Sequence, residues 1–235
     1  MTMSMRMSRK RLTVICGAYG SGKTEFALAY ALDAASEGQT KNFTKVGLID
    51  LDIVNPYFRS RDLALKLETK GLDVVSSEPG MEYSDIPSLS PRIFSLLQDH
   101  SYQVVFDVGG DPAGARALGR FNPYFVKEPY DMFIVVNPYR PDTRNISEAA
   151  ALIAAIQNTS RLRATGMISN INLGPDTTME VWQSGLEFVN ALAEHLALPI
   201  VYHMVEEGFL NENRSQFANE PVFPVTLRML PPWRS

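Results

Sequence analysis

The stretch LTVICGAYGSGKT, residues 12–24, decides how the rest of the chain is interpreted. Its first part predicts a short buried strand over Leu12–Cys16, and three glycines, a serine, a lysine and a threonine come soon after it. The segment Gly17–Thr24 matches G-x-x-x-x-G-K-[ST], the phosphate-binding P-loop. Glu25–Glu37 is rich in alanine, leucine and aromatic residues, as a well-covered helix is. Strand, loop and helix in this order are the context in which a P-loop binds phosphate.

Each residue type in this loop has a chemical reason to bind phosphate. Glycines let the backbone curl so that several N–H groups face one anion, and the following helix adds its positive N-terminal end. Lys23 can reach the β- and γ-phosphates as a point charge, and Thr24 offers a hydroxyl to Mg²⁺. The sequence therefore predicts Lys23 as a catalytic residue, Thr24 as a metal ligand, and a nucleotide-binding segment made of Gly17, Ala18, Tyr19, Gly20, Ser21, Gly22, Lys23, Thr24 and Glu25.

The composition narrows the class of protein. The chain has 235 residues, of which 45% are hydrophobic, and this suits one large α/β domain with a sizeable core. A net charge of −4 argues against a protein whose main partner is nucleic acid. No apolar run approaches the roughly 18 residues of a membrane span. The first apolar run is too short for an export signal, so we expect a cytoplasmic protein.

The residues before the first strand and the cysteine at its end lead to further expectations. Residues 1–11, which are basic and rich in methionine, predict a loose tail, and residues 12–235 predict a single domain. The one cysteine, Cys16, excludes an internal disulfide and a metal site built from several thiolates of one chain. Its place at the end of an apolar strand predicts ordinary core packing.

Apolar runs alternate with helical patterns along the chain. This alternation requires crossover connections, which predict an α/β fold with a mainly parallel sheet of about seven strands and helices on both faces. The segment from Phe209 onward shows no clear pattern. The helical patterns cover 25–37, 60–70, the segment from Pro91, 147–157 and 177–197. The predicted strands are Leu12–Cys16, Val46–Ile49, Leu72–Val75, Tyr102–Phe106, Met132–Val136, Ala164–Ser169 and Pro199–Val205.

Two predicted strands end in aspartates. Asp107 follows an apolar strand in the segment QVVFDVGGD, the position of the aspartate that holds Mg²⁺ in P-loop proteins, and Gly110 can offer a backbone N–H to the γ-phosphate. Asp50 and Asp52 end another strand, and two carboxylates this close repel each other unless a cation or donors lie between them. We therefore predict Asp50 and Asp107 as magnesium ligands. Asp52 is predicted to orient or deprotonate the attacking water.

Further polar residues follow the other strands. Ligands of open α/β sheets bind at the carboxyl ends of strands, so Asn137, Arg140 and Asn170 are candidates for the same crevice. The strings N-K-x-D and T-K-x-D, which a guanine-selective site needs, do not occur, and this favours ATP over GTP. Asn170 is the predicted adenine contact, because an amide can both donate to and accept from the base edge. Arg59 and Arg61 are interpreted as solvated arginines or as contacts to a partner or phosphate.

The strings GAYGSGKT, LIDLD, VVFDVGGD and MISNINLG, in that order and spacing, resemble those of the MinD/ParA-type P-loop ATPases, the CobQ/CobB/MinD/ParA nucleotide-binding group. GAYGSGKTE and DLDIVNPYFRSR resemble a bacterial subset usually described only as ATP-binding proteins. The resemblance covers about residues 12–205. It implies an ATP-driven conformational switch, often a dimer. By motif position it makes Asp52 the switch I aspartate, Asp107 the Walker B residue, Gly110 the switch II glycine and Asn170 the base contact.

One position departs from this group. Many members carry a second lysine directly after the first glycine of the loop, which reaches across a dimer to the partner's phosphates, and here that position is Ala18. Dimer closure by that lysine is therefore not possible. Some members also bridge a metal with interfacial cysteines, and Cys16 is badly placed for this because it lies inside the strand. We expect an unidentified protein partner, and a homodimer remains open.

Three functions are open at this point. The first is an ATPase switch that binds Mg·ATP, hydrolyses it slowly and acts on a protein partner. The second is an ATP-dependent small-molecule kinase or ligase/synthetase, with its acceptor bound over NPYFRSR or MEYSDIPSLSP. The third is a nucleotide-binding scaffold without catalysis. The first is favoured because Lys23, Thr24 and Asp107 are intact and no arginine-rich lid is obvious.

Overall fold

The structure, a computed structural model, describes residues 9–36, 43–52, 61–76, 90–110 and 112–228. Eight strands lie within these ranges and form one parallel sheet. They are β1 (Leu12–Gly17), β2 (Lys45–Leu51), β3 (Leu72–Ser76), β4 (Tyr102–Val108), β5 (Tyr130–Val136), β6 (Gly166–Ser169), β7 (Ile200–Glu206) and β8 (Val222–Val225). The strand order is β3-β2-β4-β1-β5-β6-β7-β8.

Helices connect the strands and cover both faces of the sheet. They are α1 (Lys23–Ser36), α2 (Arg61–Glu68), α3 (Pro91–Gln98), α4 (Pro112–Gly119), α5 (Asn122–Phe125), α6 (Ile146–Ser160), α7 (Met179–Leu196) and α8 (Glu207–Glu212). Side-chain caps define several starts: the Arg92 N–H donates to Ser90 Oγ at 3.4 Å, and the Glu148 N–H donates to Asn145 Oδ1 at 2.9 Å. Pro91 takes the first position of α3, where its missing N–H would have no partner within the helix.

Side chains of the central strand alternate between two cores. Leu12, Val14 and Cys16 of β1 belong to the core under α3, α4, α6 and α7, whereas Ile15 belongs to the core under α1. Every residue of β1 is buried, as expected for a parallel strand covered on both faces. This burial explains why the sequence of β1 is almost continuously apolar.

The sheet topology brings the predicted functional residues to one edge. β1 lies between β4 and β5, and β4 also pairs with β2. In the β2–β4 pair Asp50 lies directly opposite Asp107. Because the strands are parallel, the P-loop after β1 and both aspartates are at the carboxyl edge of the sheet.

The predicted parallel α/β architecture is confirmed, with eight strands rather than about seven. The additional strand, β8, lies in the segment that showed no clear pattern from Phe209 onward, and it pairs with β7 at the edge of the sheet. Pro224 is exposed within β8, and proline is tolerated in edge strands because its missing N–H does not have to pair. A proline in a run of only four residues hid the strand pattern.

The first described residues are packed rather than loose. Arg9 pairs with Asp33, and its guanidinium lies 4.6 Å from the centroid of the Tyr30 ring. Arg11 is 6% exposed and its Nε donates to Glu128 at 2.8 Å. The anchored chain thus includes residues 9–11, which the sequence assigned to the tail, and residues 1–8 lie outside the described residues.

Cys16 is buried in the core, as predicted, and its Sγ lies 3.7 Å from the Phe133 carbonyl oxygen. Burial raises the pKa of this thiol to about 12, so it stays protonated at neutral pH. Within the described ranges, no helix combines the length and the apolar character that crossing a membrane requires.

Packing of β8 on α1 should contribute strongly to stability. Phe223 is 8% exposed, and its ring centroid lies 5.2 Å from Phe26 and 5.5 Å from Tyr202. We expect Phe223→Ala to lower the free energy of unfolding by about 3–5 kcal/mol, because the substitution leaves a cavity between α1 and the sheet. Urea unfolding followed by circular dichroism measures this. The matched control is Pro224→Ala on the exposed face, and a similar loss in both variants would contradict the packing of β8 described above.

Candidate functional site

The loop between β1 and α1 is a tight turn that only glycine permits at two positions. Gly17 has φ +153°, and a Cβ on it would lie 2.3 Å from the Val135 carbonyl oxygen. Gly22 has φ +94°, and a Cβ there would lie 2.3 Å from Asn170 Nδ2. The loop is closed by a hydrogen bond from the Ser21 N–H to the Ala18 carbonyl oxygen at 3.2 Å. These constraints hold the curled backbone that the sequence predicted for a P-loop.

Gly110, which follows β4, lies against the same loop. A Cβ on Gly110 would stand 2.5 Å from the Gly17 carbonyl oxygen and 2.9 Å from the Tyr19 backbone nitrogen. The structure therefore brings Gly110 to the P-loop, as the sequence expected. Donation of its N–H to a γ-phosphate stays a prediction.

Asp50 and Asp107 form a buried pair of acidic groups beside the loop. They are 1% and 0% exposed and lie opposite each other on adjacent strands. No hydrogen bond of ordinary geometry reaches either carboxylate oxygen of Asp107 from the described residues, although the Thr24 hydroxyl is near enough to favour the charged form. Burial, and then the nearby Asp50, raise the pKa of Asp107 to about 7, although Thr24 and Lys23 lower it. An unneutralised carboxylate in this position is costly, so the site favours a cation.

Lys23 is the cation that the structure places beside these acids. Its Nζ lies 3.7 Å from Asp52 Oδ2, and both side chains are almost completely buried. The Asp52 N–H donates to Asp50 Oδ1 at 2.9 Å, which fixes the two aspartates of β2 relative to each other. Lys23, Asp50, Asp52 and Asp107, which the sequence took from separate motifs, therefore lie together in one buried electrostatic group.

The donor set fits Mg²⁺. Thr24, Asp50 and Asp107 provide oxygen atoms, which Mg²⁺ prefers, and neither Asp107 oxygen accepts a hydrogen bond of ordinary geometry from the described part of the chain. The described residues contain no group of three or more His, Cys, Asp or Glu side chains placed to hold a metal. Mg²⁺ in nucleotide sites is usually held by one or two carboxylates together with phosphates and water.

The amide of Asn170 contacts the P-loop itself. Asn170 follows β6, is 5% exposed, and donates from Nδ2 to the Ser21 carbonyl oxygen at 2.7 Å. This long-range contact buttresses the loop between its last two glycines, and sequence patterns alone did not indicate it. The predicted contact of Asn170 with adenine stays a prediction.

Asn137, which follows β5, has a structural role in the same region. It is 1% exposed, its Nδ2 donates to the Asn172 carbonyl oxygen at 2.9 Å, and its Oδ1 accepts from the Tyr139 N–H at 3.0 Å. These bonds tie the loop after β5 to the loop after β6. Asn137 is thus near the predicted crevice, with its amide engaged within the protein.

The C-terminal segment also reaches the P-loop helix. The Arg228 N–H donates to Glu25 Oε1 at 2.8 Å, and Glu25 is 5% exposed at the start of α1. Glu25 was predicted within the nucleotide-binding segment, and its assignment to the nucleotide stays a prediction. The contact joins residues 203 positions apart, so no local pattern could have revealed it.

Two side chains project at the outer side of the loop. Tyr19 is 71% exposed, and the Arg140 guanidinium lies next to Gly20. Arg59 and most of the MEYSDIPSLSP segment lie outside the described residues, as does the side chain of Arg61. The proposed partner and acceptor surfaces on those segments therefore stay predictions.

Solved structures show remote likeness to this chain. A nucleotide-binding protein from Archaeoglobus fulgidus, solved with ADP and cobalt, is 15% identical, with 85% of this chain and 84% of that chain covered and a TM-score of 0.47. FtsY from Mycoplasma mycoides is 15% identical, with 83% of this chain covered and a TM-score of 0.50. The signal recognition particle receptor FtsY from Elizabethkingia anophelis, solved with GDP, is 13% identical, with 87% of this chain covered and a TM-score of 0.37.

The chain has the P-loop NTPase fold. The parallel sheet, the glycine-constrained loop after β1 and the likeness to the Mycoplasma protein agree on this point. The matches span only 62% and 51% of the two FtsY chains. No family model matches the sequence, and no curated protein matches it significantly.

The raised pKa of Asp107 makes the stability of the nucleotide-free protein depend on pH. Its pKa is about 7 when folded, against an ordinary value of 3.8, so the folded state binds more protons between these values. Stability therefore falls as pH rises from about 4 to about 7, by about 4 kcal/mol at most, and stays level above pH 7. We expect Asp107→Asn to stabilise the protein in EDTA, more at pH 8 than at pH 4.5.

Urea unfolding at the two pH values measures this gain. Asp176→Asn is the matched control, because Asp176 is exposed and at the same edge of the sheet. An equal effect of Asp107→Asn at both pH values would show that Asp107 is not titrating as described.

Proposed function

We propose that this protein is a magnesium-dependent ATP-binding protein of the MinD/ParA type that hydrolyses ATP as a conformational switch coupled to a protein partner. The observation that carries the proposal is the buried group of Lys23, Asp50, Asp52 and Asp107 next to the glycine-constrained loop. Burying three carboxylates with a single ammonium group costs stability, so a purely structural role does not explain this cluster. They match the needs of a metal-bound polyphosphate.

Thr24, Asp50 and Asp107 would hold Mg²⁺ on the side of the loop that faces β2 and β4. Bound there, Mg²⁺ supplies neutralisation of the charge that develops on the phosphates. The backbone of residues 17–24 would bind the phosphate chain through its N–H groups, and the N-terminus of α1 adds to their field. The carboxylates of Asp50 and Asp107 are already fixed by the β2–β4 register, so little reorganisation is needed.

Lys23 gives the site a simple response to nucleotide. In this structure its Nζ faces Asp52 at 3.7 Å. A polyphosphate competes for the same ammonium group, which weakens the Lys23–Asp52 ion pair. The Asp52 carboxylate is then able to accept a hydrogen bond from water and to orient it, or to take its proton. Asp52 also immediately precedes residues 53–60, which we propose as the switch segment, and its change of partner is the proposed signal to them.

ATP is the proposed nucleotide. The sequence lacks N-K-x-D and T-K-x-D, and Asn170 is the residue proposed to bind adenine. The Asn170 Nδ2 already donates to the P-loop, so its Oδ1 would accept from the exocyclic amine of the base. Competition between ATP and GTP at equal concentration tests this assignment.

Hydrolysis is proposed to be slow without a partner. Ala18 occupies the position of the second P-loop lysine and is 2% exposed, so no cationic side chain projects from that position. A protein partner, or a second copy of the chain, would therefore have to complete the site. Rapid turnover by the purified chain alone would contradict this part of the proposal.

Lys23 should be essential for nucleotide binding. We expect Lys23→Ala to weaken binding of Mg·ATP and Mg·ADP by roughly 10- to 100-fold, because a charge-assisted contact to phosphate is lost. Isothermal titration calorimetry measures both nucleotides. Lys45→Ala is the matched control, since Lys45 is exposed at the amino edge of the sheet. Equal affinity of the parent and Lys23→Ala, or no binding by the folded parent, would overturn the proposed function.

Asp52 should separate binding from hydrolysis. We expect Asp52→Asn to lower the turnover number for ATP by roughly 100-fold, because it removes the group that orients or deprotonates water. Affinity for Mg·ADP should stay the same or increase, because Lys23 loses its carboxylate partner. Phosphate release and calorimetry on the same preparations measure the two effects, with Asp176→Asn as control. A turnover equal to that of the parent would remove Asp52 from catalysis.

A further inference from the structure

We propose that Arg140 binds the phosphate chain of the nucleotide and supplies, from within the same chain, a second positive charge at the P-loop. This inference rests on the proposed function, since it assigns a further residue to the same nucleotide site. It goes beyond the P-loop and aspartate motifs, because Arg140 belongs to none of them.

The first observation is the place of the guanidinium. Arg140 Nε lies 3.5 Å, and Arg140 Cζ 3.7 Å, from the point where a Cβ of Gly20 would stand. Gly20 lies between the two glycines that shape the loop, in the segment whose N–H groups are proposed to surround the phosphates. The side chain thus extends from the end of β5 across to the loop after β1. Because both strands end at the same edge, Arg140 reaches the mouth of the phosphate site.

The second observation is the fixed backbone from which Arg140 extends. The Arg140 N–H donates to the Asn137 carbonyl oxygen at 3.3 Å, and the Arg140 carbonyl oxygen accepts from the Thr143 N–H at 3.0 Å. The buried Thr143 hydroxyl also donates to the Asn137 carbonyl oxygen at 2.5 Å. This turn is further held by the amide of Asn137, as described above. A fixed turn removes the backbone part of the conformational entropy that Arg140 would otherwise lose when it binds a ligand.

The third observation concerns charge. Among the described residues, no carboxylate lies within ion-pair distance of the Arg140 guanidinium, and the side chain is exposed. By contrast, Lys23 at the same loop is already paired with Asp52. A guanidinium carries five N–H donors and no acceptor, and its geometry matches phosphate oxygens. A polyphosphate bound at the loop would supply the negative charge that Arg140 lacks, with oxygen atoms that match its donors.

The alanine at position 18 leaves the loop without a second lysine, and Arg140 supplies a positive charge nearby. The resemblance implies that many MinD/ParA-type proteins place a lysine there to reach phosphates of a partner subunit. In this chain Ala18 is buried, and Arg140 brings a cation to the loop two residues further on. Arg140 of the same chain would thus help to bind the phosphates, whereas rapid hydrolysis would still require the partner proposed above.

The test compares Arg140→Ala, Arg140→Lys and Arg163→Ala in the full chain. Arg163 is exposed before β6, at the opposite edge of the sheet, so its removal changes net charge equally. Two probes are used: a fluorescent ADP analogue with Mg²⁺, and magnesium tripolyphosphate that displaces it. We expect Arg140→Ala to weaken the binding of both probes by roughly tenfold. Arg140→Lys should weaken it by less, and Arg163→Ala by under about twofold. Thermal unfolding midpoints should be unchanged, which excludes a purely structural effect.

Two results would overturn the inference while leaving the proposed function intact. One is parent-like affinity of Arg140→Ala for both probes while Lys23→Ala loses binding. The other is weaker binding of the ADP analogue with unchanged binding of tripolyphosphate, because this would place Arg140 on the base or ribose instead of the phosphates. If the folded parent bound neither probe, or if Lys23→Ala bound both like the parent, the proposed function itself would fail and the inference with it.

Discussion

The site depends on a close approach of backbone that leaves no room for side chains. The carbonyl of Val135, the amide of Asn170 and the backbone at Gly110 all crowd the P-loop at distances that a Cβ cannot tolerate. Glycine at these contacts lets β1, β4, β5 and β6 converge on one short loop. The contacts cost chain entropy, since glycine loses more freedom than other residues on folding. In return the loop is held in one curled conformation before any ligand binds.

A second constraint is electrostatic. The β2–β4 register places Asp50 against Asp107 inside the protein, where two carboxylates repel each other and lose hydration. The Lys23 ammonium group, which also pairs with Asp52, offsets part of this repulsion, and the pKa of Asp107 remains raised to about 7. A cation bound between these two carboxylates would relieve their repulsion. The buried Asp50–Asp107 pair lowers the stability of the fold at the place where a metal-bound polyphosphate would bind. This supports the proposed function.

Local patterns in the sequence predicted much of this arrangement. The motif at Gly17–Thr24 and the aspartates that end two apolar strands indicated one shared edge, because parallel strands bring their carboxyl ends together. Short apolar runs between helical patterns also predicted seven of the eight strands. These features are readable because each depends on residues near one another along the chain.

Other features escaped prediction because they depend on contacts between distant residues. The Asn170 contact with Ser21, the Arg228 contact with Glu25 and the approach of Arg140 to Gly20 each join separate loops. The strand β8 was missed because Pro224 interrupts its pattern, and pairing with β7 determines its conformation. The anchoring of Arg9 and Arg11 likewise depends on acidic partners far along the chain. Composition alone made that segment resemble a tail.

The most direct test of the central claim is amide hydrogen exchange of the full chain with and without Mg·ADP. The account requires that backbone N–H groups of residues 18–24 bind the phosphates, so their exchange should slow markedly when nucleotide is added. The last turns of α7, which lead to the amino edge of the sheet, serve as the internal reference and should change little. Unchanged exchange across residues 18–24 at a saturating concentration of Mg·ADP would contradict the account, whatever the rest of the chain did.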